Sequence, residues 1–495
     1  MADGTRIHNL DDDALLRIFN CYRLEDEEWN LRANWRKLAH VCQRWRYLIF
    51  DSSSLLDICL HLTTDSPSIN TLSHLPPLPL VIDYSIWIIS LNDKDNIHLG
   101  LQQHGRVRQV TLQAPSSSLY ILLEPMNKPF PRLRELSLSS TTTEDICPVL
   151  PETLRAPFLR HLSLHGIGLP KGLLLLSSMT ALSALSLTHI RDSWYFPPRH
   201  LVTQLQGLLC LEELSIGFAI PIPLPSSEGE LLPAPIPPVT LPSLRRIKFQ
   251  GVGAYLENLV AQINTPLLEQ IRLTLFFNLD FTLVNLTKFI RRTEGIRCLT
   301  TRVIFGKDGA SINAGHYEQG KFSLYVNVNC KRLDWQMDSA TQVCRALGNV
   351  LSSVVELTID LDQVMPSIRG NIFDSTLWHE LLLPFIRVKK LHISFSLTLE
   401  LSQALESIPE ELVLELLPDL RELEVQLEID SAKKAFSTFV ETRESVGRPV
   451  HLLALPIPYL NGATQLISDY KSDYQTSVQH EVQEKTTRLY DELRR

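Results

Sequence analysis

The sequence predicts an α/β chain in which a small α-helical N-terminal module precedes a long, irregular solenoid of parallel strands with helical returns. Three observations predict it. Apolar residues recur at helical spacing within the first fifty positions, and a leucine pattern with strand-like alternation recurs along most of the remaining chain. The length, 495 residues, suits one long repeat array with a small appendage. The expected organisation is a helical module over 1–62, a connector and solenoid cap over 63–104, the solenoid over 105–456 with a proline-rich insert at 219–243, and a helical tail over 457–495.

The first helix is expected to begin near Asp12, because Asp11, Asp12 and Asp13 suit the capping position and the positive end of the helix dipole. Leu15, Ile18, Phe19 and Tyr22 then fall on one stripe, which Leu16 widens. After a polar insert from Glu25 to Trp35, the helical pattern resumes at Leu38, Val41, Cys42, Trp45, Leu48 and Ile49, predicting one second helix. Two helices of this length bury too little surface to stand alone, so their apolar faces need a third element or another protein.

Three segments carry a resemblance: Ile7-x-x-Leu10, Leu15-Leu16-x-Ile18-Phe19, and Leu38-Ala39-x-Val41-Cys42-x-x-Trp45-Arg46. Together they resemble an F-box, the helical module that binds the Skp adaptor of cullin-RING ubiquitin ligases. Val41-Cys42-Gln43-Arg44-Trp45-Arg46 fits the family's Val-Cys-x-x-Trp-Arg ending, whereas Leu10-Asp11 stands where the family has Leu-Pro. The runs 55–60 and 75–82 resemble the continuation in fungal F-box proteins with leucine-rich repeats. The resemblance implies a substrate-recognition subunit, with Leu10, Leu15, Leu16, Ile18, Phe19, Leu38, Val41, Cys42, Trp45 and Leu48 binding the adaptor and, through it, a cullin. Trp45 is the expected anchor of that interface.

Leu-x-x-Leu-x-Leu recurs as Leu133/Leu136/Leu138, Leu159/Leu162/Leu164, Leu182/Leu185/Leu187, Leu211/Leu214/Ile216, Leu244/Ile247/Phe249 and Leu268/Ile271/Leu273. Weaker copies start at Val107, Val354, Val388 and Leu420, and first positions from 107 to 268 lie 23 to 33 residues apart, the spacing of leucine-rich repeats. Each copy predicts a short strand with its apolar side inward. No copy supplies the usual asparagine ladder, so helical returns are expected instead. Between Leu273 and Val354 the register is lost; one degenerate repeat or insertion is expected there, with Phe322 to Val328 as an alternating strand. The two proline runs at 220–225 and 232–238 cannot be helix or central strand and predict an exposed spacer. His451 to Leu455 reads as the last strand.

The residue between the last two framework positions should point outward: Thr111, Ser137, Ser163, Ser186, Ser215, Lys248, Arg272, Thr358, His392 and Glu424. Arg246, Lys248 and Arg272 form a basic group suited to an acidic or phosphorylated segment of a client protein. They are the candidate client contacts.

No catalytic centre, cofactor or metal site is expected. Gly315 to Phe322 has phosphate-loop spacing, yet Phe322 replaces the Ser/Thr that would hold magnesium and the residues after Lys321 read as strand, so a hairpin or surface loop is expected. His379-Glu380 lacks the second histidine of a zincin. A net charge of −8 gives no global drive towards nucleic acid or acidic membranes. Eight cysteines without a Cys-x-x-Cys pair argue for a reducing compartment, and with no apolar leader or span, the expected location is cytoplasmic or nuclear. The alternative to a ligase subunit is a leucine-rich-repeat interaction scaffold whose helical start merely caps the solenoid.

Overall fold

The computed structural model describes residues 7, 10–25, 34–64, 77–85, 90–142, 148–170, 175–221, 238–276, 283–293, 295–316, 321–330, 332–362, 375–407, 409, 412, 415–426 and 429–454. They form two compact units, one of residues 1–196 with 207–211 and the other of residues 197–206 with 212–495. The expected helical tail at 457–495 and most of the proline-rich insert lie outside the described residues.

The first unit opens with α1 (Asp12–Glu25), α2 (Trp35–Ala39) and α3 (Gln43–Asp51). The single second helix expected from the apolar spacing is two helices. Cys42 breaks it: its backbone is extended (φ −159°, ψ 171°), and its Sγ caps α3 by accepting from the Trp45 amide at 3.5 Å. Trp35, read as part of a polar insert, starts α2 and is buried. Six parallel strands come next in chain order: β1 (Leu60–Leu62), β2 (Leu80–Tyr84), β3 (Val107–Ala114), β4 (Glu135–Ser140), β5 (His161–His165) and β6 (Ala184–Ile190). The parallel array therefore begins at Leu60, well before the expected start at 105. Return segments include α4 (Leu91–Gln102), opened by a Ser90/Asp93 capping box, and α5 (Ser116–Leu122).

The second unit contains α6 (Pro198–Leu205), β7 (Glu213–Phe218), β8 (Val239–Thr240), β9 (Arg246–Gly251), α7 (Gly253–Ala261), β10 (Ile263–Asn264), β11 (Gln270–Phe276) and α8 (Val284–Arg292). β12 (Thr300–Phe305), β13 (Gly309–His316), β14 (Lys321–Asn329), α9 (Leu333–Ala346), α10 (Gly348–Leu351) and β15 (Glu356–Leu361) come next. Its last described elements are α11 (Ser375–Leu382), β16 (Lys390–Ile393), α12 (Phe395–Ser407), β17 (Glu422–Val425), α13 (Ile429–Ala435), α14 (Ser437–Ser445) and β18 (His451–Ala454). Its sheet runs β7-β9-β11-β14-β13-β12-β15-β16-β17-β18, while β8 and β10 pair separately.

The register lost between Leu273 and Val354 is a three-strand antiparallel insert. β14 pairs parallel to β11, β13 runs antiparallel between β14 and β12, and β12 resumes parallel pairing with β15. The insert thus enters the sheet in reverse order. Gly309, after the β12–β13 turn, faces the Val328 carbonyl so closely that a Cβ there would stand 2.1 Å from the oxygen. The phosphate-loop spacing falls on the β13–β14 hairpin, with Gly315 opposite Phe322.

A turn replaces the missing asparagine ladder. The first framework residue of a copy donates its N–H to the carbonyl three residues back: Leu133 to Phe130, Leu159 to Ala156 and Leu182 to Met179 in the first unit, and Leu244 to Leu241, Leu268 to Thr265, Val388 to Phe385 and Leu420 to Leu417 in the second. In five of these turns the second residue is proline (Pro131, Pro157, Pro242, Pro266, Pro418), which presets φ for that position. The following amide reaches the previous repeat, as Arg160 N–H to Arg134 O and Arg421 N–H to Lys389 O, at 2.8 and 2.9 Å. Main-chain groups are thereby satisfied without side chains. Each unit's core lies between the inner strand face and the returns. At roughly 1.5–3 kcal/mol per buried leucine, the framework positions dominate its stabilisation. In the second unit α14 carries a fully buried Arg443, whose guanidinium donates to the Leu416, Pro418 and Leu420 carbonyls at 3.2 to 3.4 Å.

Candidate protein-interaction surfaces

The N-terminal module has a core of its own. Leu15, Phe19, Trp35, Ala39, Trp45 and Ile49 are buried, and the Phe19 and Trp45 rings meet edge to face with centroids 4.8 Å apart. Polar staples hold the helices in place. Asp11 caps α1 by accepting from the Ala14 amide at 2.7 Å. Arg44 in α3 reaches across to Asp12 at 2.5 Å and to the Leu10 carbonyl at 2.7 Å. Arg46 donates to the Ala39 carbonyl at 3.1 Å, fixing the α2–α3 angle.

The residues expected to bind an adaptor divide into two sets. Leu15, Phe19 and Trp45 are inside, and Trp45 keeps only 7% of its surface exposed. A side chain already buried has little surface left for a partner to cover, so Trp45 is an internal anchor, not an exposed one. Ile18 and Val41 are exposed, at 45% and 55%, and Leu10, Leu16, Leu38, Cys42 and Leu48 are half-buried. Tyr22, on the same stripe as Ile18, and Tyr47, which lies off the apolar spacing of the sequence, add exposed apolar surface.

On the strands, the outward positions lie as the alternation requires. In the first unit Thr111, Ser137, Ser163 and Ser186 are register neighbours across β3 to β6, an uncharged shelf of small hydroxyls. Beside it His161 approaches Glu135 at 3.6 Å. His165 bonds Thr188 Oγ1 through Nδ1 at 3.1 Å and stacks on His189, and burial pushes its pKa below the usual imidazole value.

In the second unit one outward row runs Ser215, Lys248, Arg272, Tyr325, Asn313, Arg302, Thr358, His392 and Glu424. Lys248 and Arg272 are thus brought together as direct partners on β9 and β11. Arg246, two residues from Lys248, is held by Glu213 across β7 and β9. The basic group is therefore two uncompensated cations and one paired one; Glu213 lies 33 residues from Arg246 in the chain, so no local pattern revealed the pairing. Arg302 bonds Asp360 through Nε at 2.9 Å, and Lys390 bonds Glu424 at 2.7 Å, a contact that raises the lysine pKa. Burial also raises the Tyr325 pKa, against the opposing Arg272 charge.

Among the described residues no cluster of His, Cys, Asp and Glu could hold a metal ion, and no helix is long and apolar enough to cross a membrane. A gap of about 10 Å³ lined by Leu391, Leu405, Leu423 and Phe439 has room for one water at most.

The fold is mixed α/β with a long, mostly parallel sheet, consistent with a leucine-rich-repeat-like solenoid. No protein-family model matches the chain, and no curated protein matches it. Among solved structures it is similar to one described as the crystal structure of the TLR13-ssRNA13 complex, at 10% identity and a TM-score of 0.28, covering 76% of this chain. The match spans 44% of that chain, less than half its length, and nothing about ligands or partners passes to this protein from it.

Proposed function

We propose that the protein is a substrate-recognition subunit of a Skp/cullin/F-box ubiquitin ligase. In this reading it has no catalysis and no cofactor of its own and works in the cytoplasm or nucleus. The N-terminal helices dock a Skp-type adaptor and, through it, a cullin, while the outward strand face holds a client protein. Bringing client lysines near a ligase-bound conjugating enzyme then speeds transfer by raising effective concentration. The observation that carries this reading is the helical module itself: it has an internal core around Phe19 and Trp45, yet keeps Ile18, Tyr22, Val41 and Tyr47 exposed. These exposed apolar side chains are the surface of the module that a partner could cover.

A second reading is favoured by one specific observation, the burial of Trp45. A leucine-rich-repeat scaffold whose helices serve only as a cap would also bury it. Titration of the full chain with a purified Skp-type adaptor separates the two, with Ile18→Asp/Val41→Asp as the comparison. These positions are exposed, so the double variant keeps its fold. Binding by the wild type that weakens about a hundredfold or more in the variant supports the ligase reading, since apolar anchors at an interface centre each contribute on the order of 2 kcal/mol. No binding by folded wild type leaves the scaffold.

A further inference from the structure

Among the described side chains on the outward strand face of the second unit, cations are paired by one rule, with one pair excepted. Arg246 is paired with Glu213, Arg302 with Asp360, and Lys390 with Glu422 and Glu424, each carboxylate coming from the adjacent strand. Lys248 and Arg272 break the rule. They sit directly opposite each other, flanked by Ser215 and Tyr325, and among the described residues neither has an ion-pair or hydrogen-bond partner. Like charges directly opposite on a sheet cost stability. A second cost lies in the same row. Asn313 is only 7% exposed on the outer side of β13, between Tyr325 and Arg302, and its Oδ1 accepts no hydrogen bond from any described residue. A sealed, unpaired acceptor is destabilising and calls for an explanation.

We propose that Lys248, Arg272 and Asn313 bind one extended acidic segment of another protein, laid across β9, β11, β14 and β13. The inference rests on the reading of this face as the client-binding surface and names what it takes. The face's own pairs supply carboxylates from the neighbouring strand for each cation, so the segment brings two, in an acid-x-acid pattern. Alternate side chains of an extended chain share a side and stand roughly 7 Å apart, against about 5 Å between strands, a mismatch that long Lys and Arg side chains absorb. From Arg272 to Asn313 is two strand spacings, about 10 Å, or about three residues of extended chain. At that distance a main-chain N–H of the segment meets Asn313 Oδ1 as Tyr325 or Arg302 beside it turns aside. The antiparallel insert is what places Asn313 there.

The test uses the full chain and a short fluorescein-labelled peptide carrying Asp-x-Asp in a Gly/Ser/Thr context, with its Asn-x-Asn counterpart and a counterpart bearing one phosphoserine. The Asp-x-Asp peptide should bind, the Asn-x-Asn peptide about tenfold or more weaker, and Lys248→Gln/Arg272→Gln should remove the difference. Asn313→Val should weaken binding about fivefold while raising the melting temperature, because it removes an unpaired polar atom; a merely structural asparagine would lower it. Failure of the Asp-x-Asp peptide to bind, binding by the phosphoserine peptide alone, or a fall in melting temperature in Asn313→Val overturns the proposal. Adaptor titration on the same protein keeps the two readings apart: adaptor binding without peptide binding leaves the ligase reading and removes this one, and the converse removes only the ligase reading.

Discussion

Replacing Trp45 by alanine tests whether the N-terminal helices form a cored unit. The indole lies 7% exposed against Phe19 and closes α1 onto α3. A buried tryptophan covers roughly 150–250 Å², which at about 25 cal/mol per Å² is roughly 4–6 kcal/mol, and the edge-to-face pair with Phe19 adds about 1 kcal/mol. Those areas refer to a fully extended chain, so about 3–5 kcal/mol, the range found for aromatic-to-alanine changes in cores, is the expected loss. So small a module has no such reserve and should open locally. Hydrogen exchange read peptide by peptide would show amide protection collapsing in α1 and α3 while the repeat strands keep theirs. Ile18→Ala, at an exposed position, should change protection by less than about 1 kcal/mol. Unchanged protection across α1 and α3 in Trp45→Ala would refute the claim that this residue is an internal anchor, and would return it to the role of an exposed contact.

Two further outcomes come from local geometry. Gly309→Ala should cost more than about 2 kcal/mol in denaturant unfolding, since its Cβ would meet the Val328 carbonyl oxygen, whereas Gly105→Ala, with open space around it, should stay within about 0.5 kcal/mol; equal effects would contradict the tight β12–β13 turn. Burial lowers the pKa of His61 and of His165 below 6.5 in the folded protein, so below that pH the unfolded chain binds more protons and stability should fall with pH. Urea midpoints across the pH range 5–8 should show that decline, shallower in His165→Asn, and an identical slope in the variant would exclude His165 as a contributor.

The parts of this architecture that are legible in the sequence are those set by short-range periodicity. The copies starting at Leu133, Leu159, Leu182, Leu244 and Leu268 announce their strands because two inward side chains alternate with outward ones over six residues. β1 escaped because it is only three residues long, and β2 because Leu80, Val81 and Ile82 are buried at consecutive positions and show no alternation. The turn that enters five of the strands has a visible signature, proline two residues before the first framework leucine at 131, 157, 242, 266 and 418, which leucine spacing alone passes over. The break at Cys42 was hidden for a different reason. Spacing of apolar residues runs straight through it, and only a thiol capping the Trp45 amide marks the stop. The reversed insert and the Glu213–Arg246 pair depend on which distant strands become neighbours, information that local spacing does not carry. The candidate surface was therefore legible as a row of outward residues, and its charge balance was not.

The self-closing turns have a consequence for how such a chain can change. Where an asparagine ladder ties repeats together, each repeat must keep one particular side chain. Here the seam between repeats is made of peptide groups, as in Arg160 N–H to Arg134 O, and asks only for a chain that can turn and an apolar residue of suitable bulk beside it. Residue identity is released from the scaffold and left to the outer face. Uneven spacings, a reversed insert and changing blocks of hydroxyl, cationic and acidic side chains can then share one frame, because the main-chain seam that holds the strands in line does not depend on which side chains stand outward.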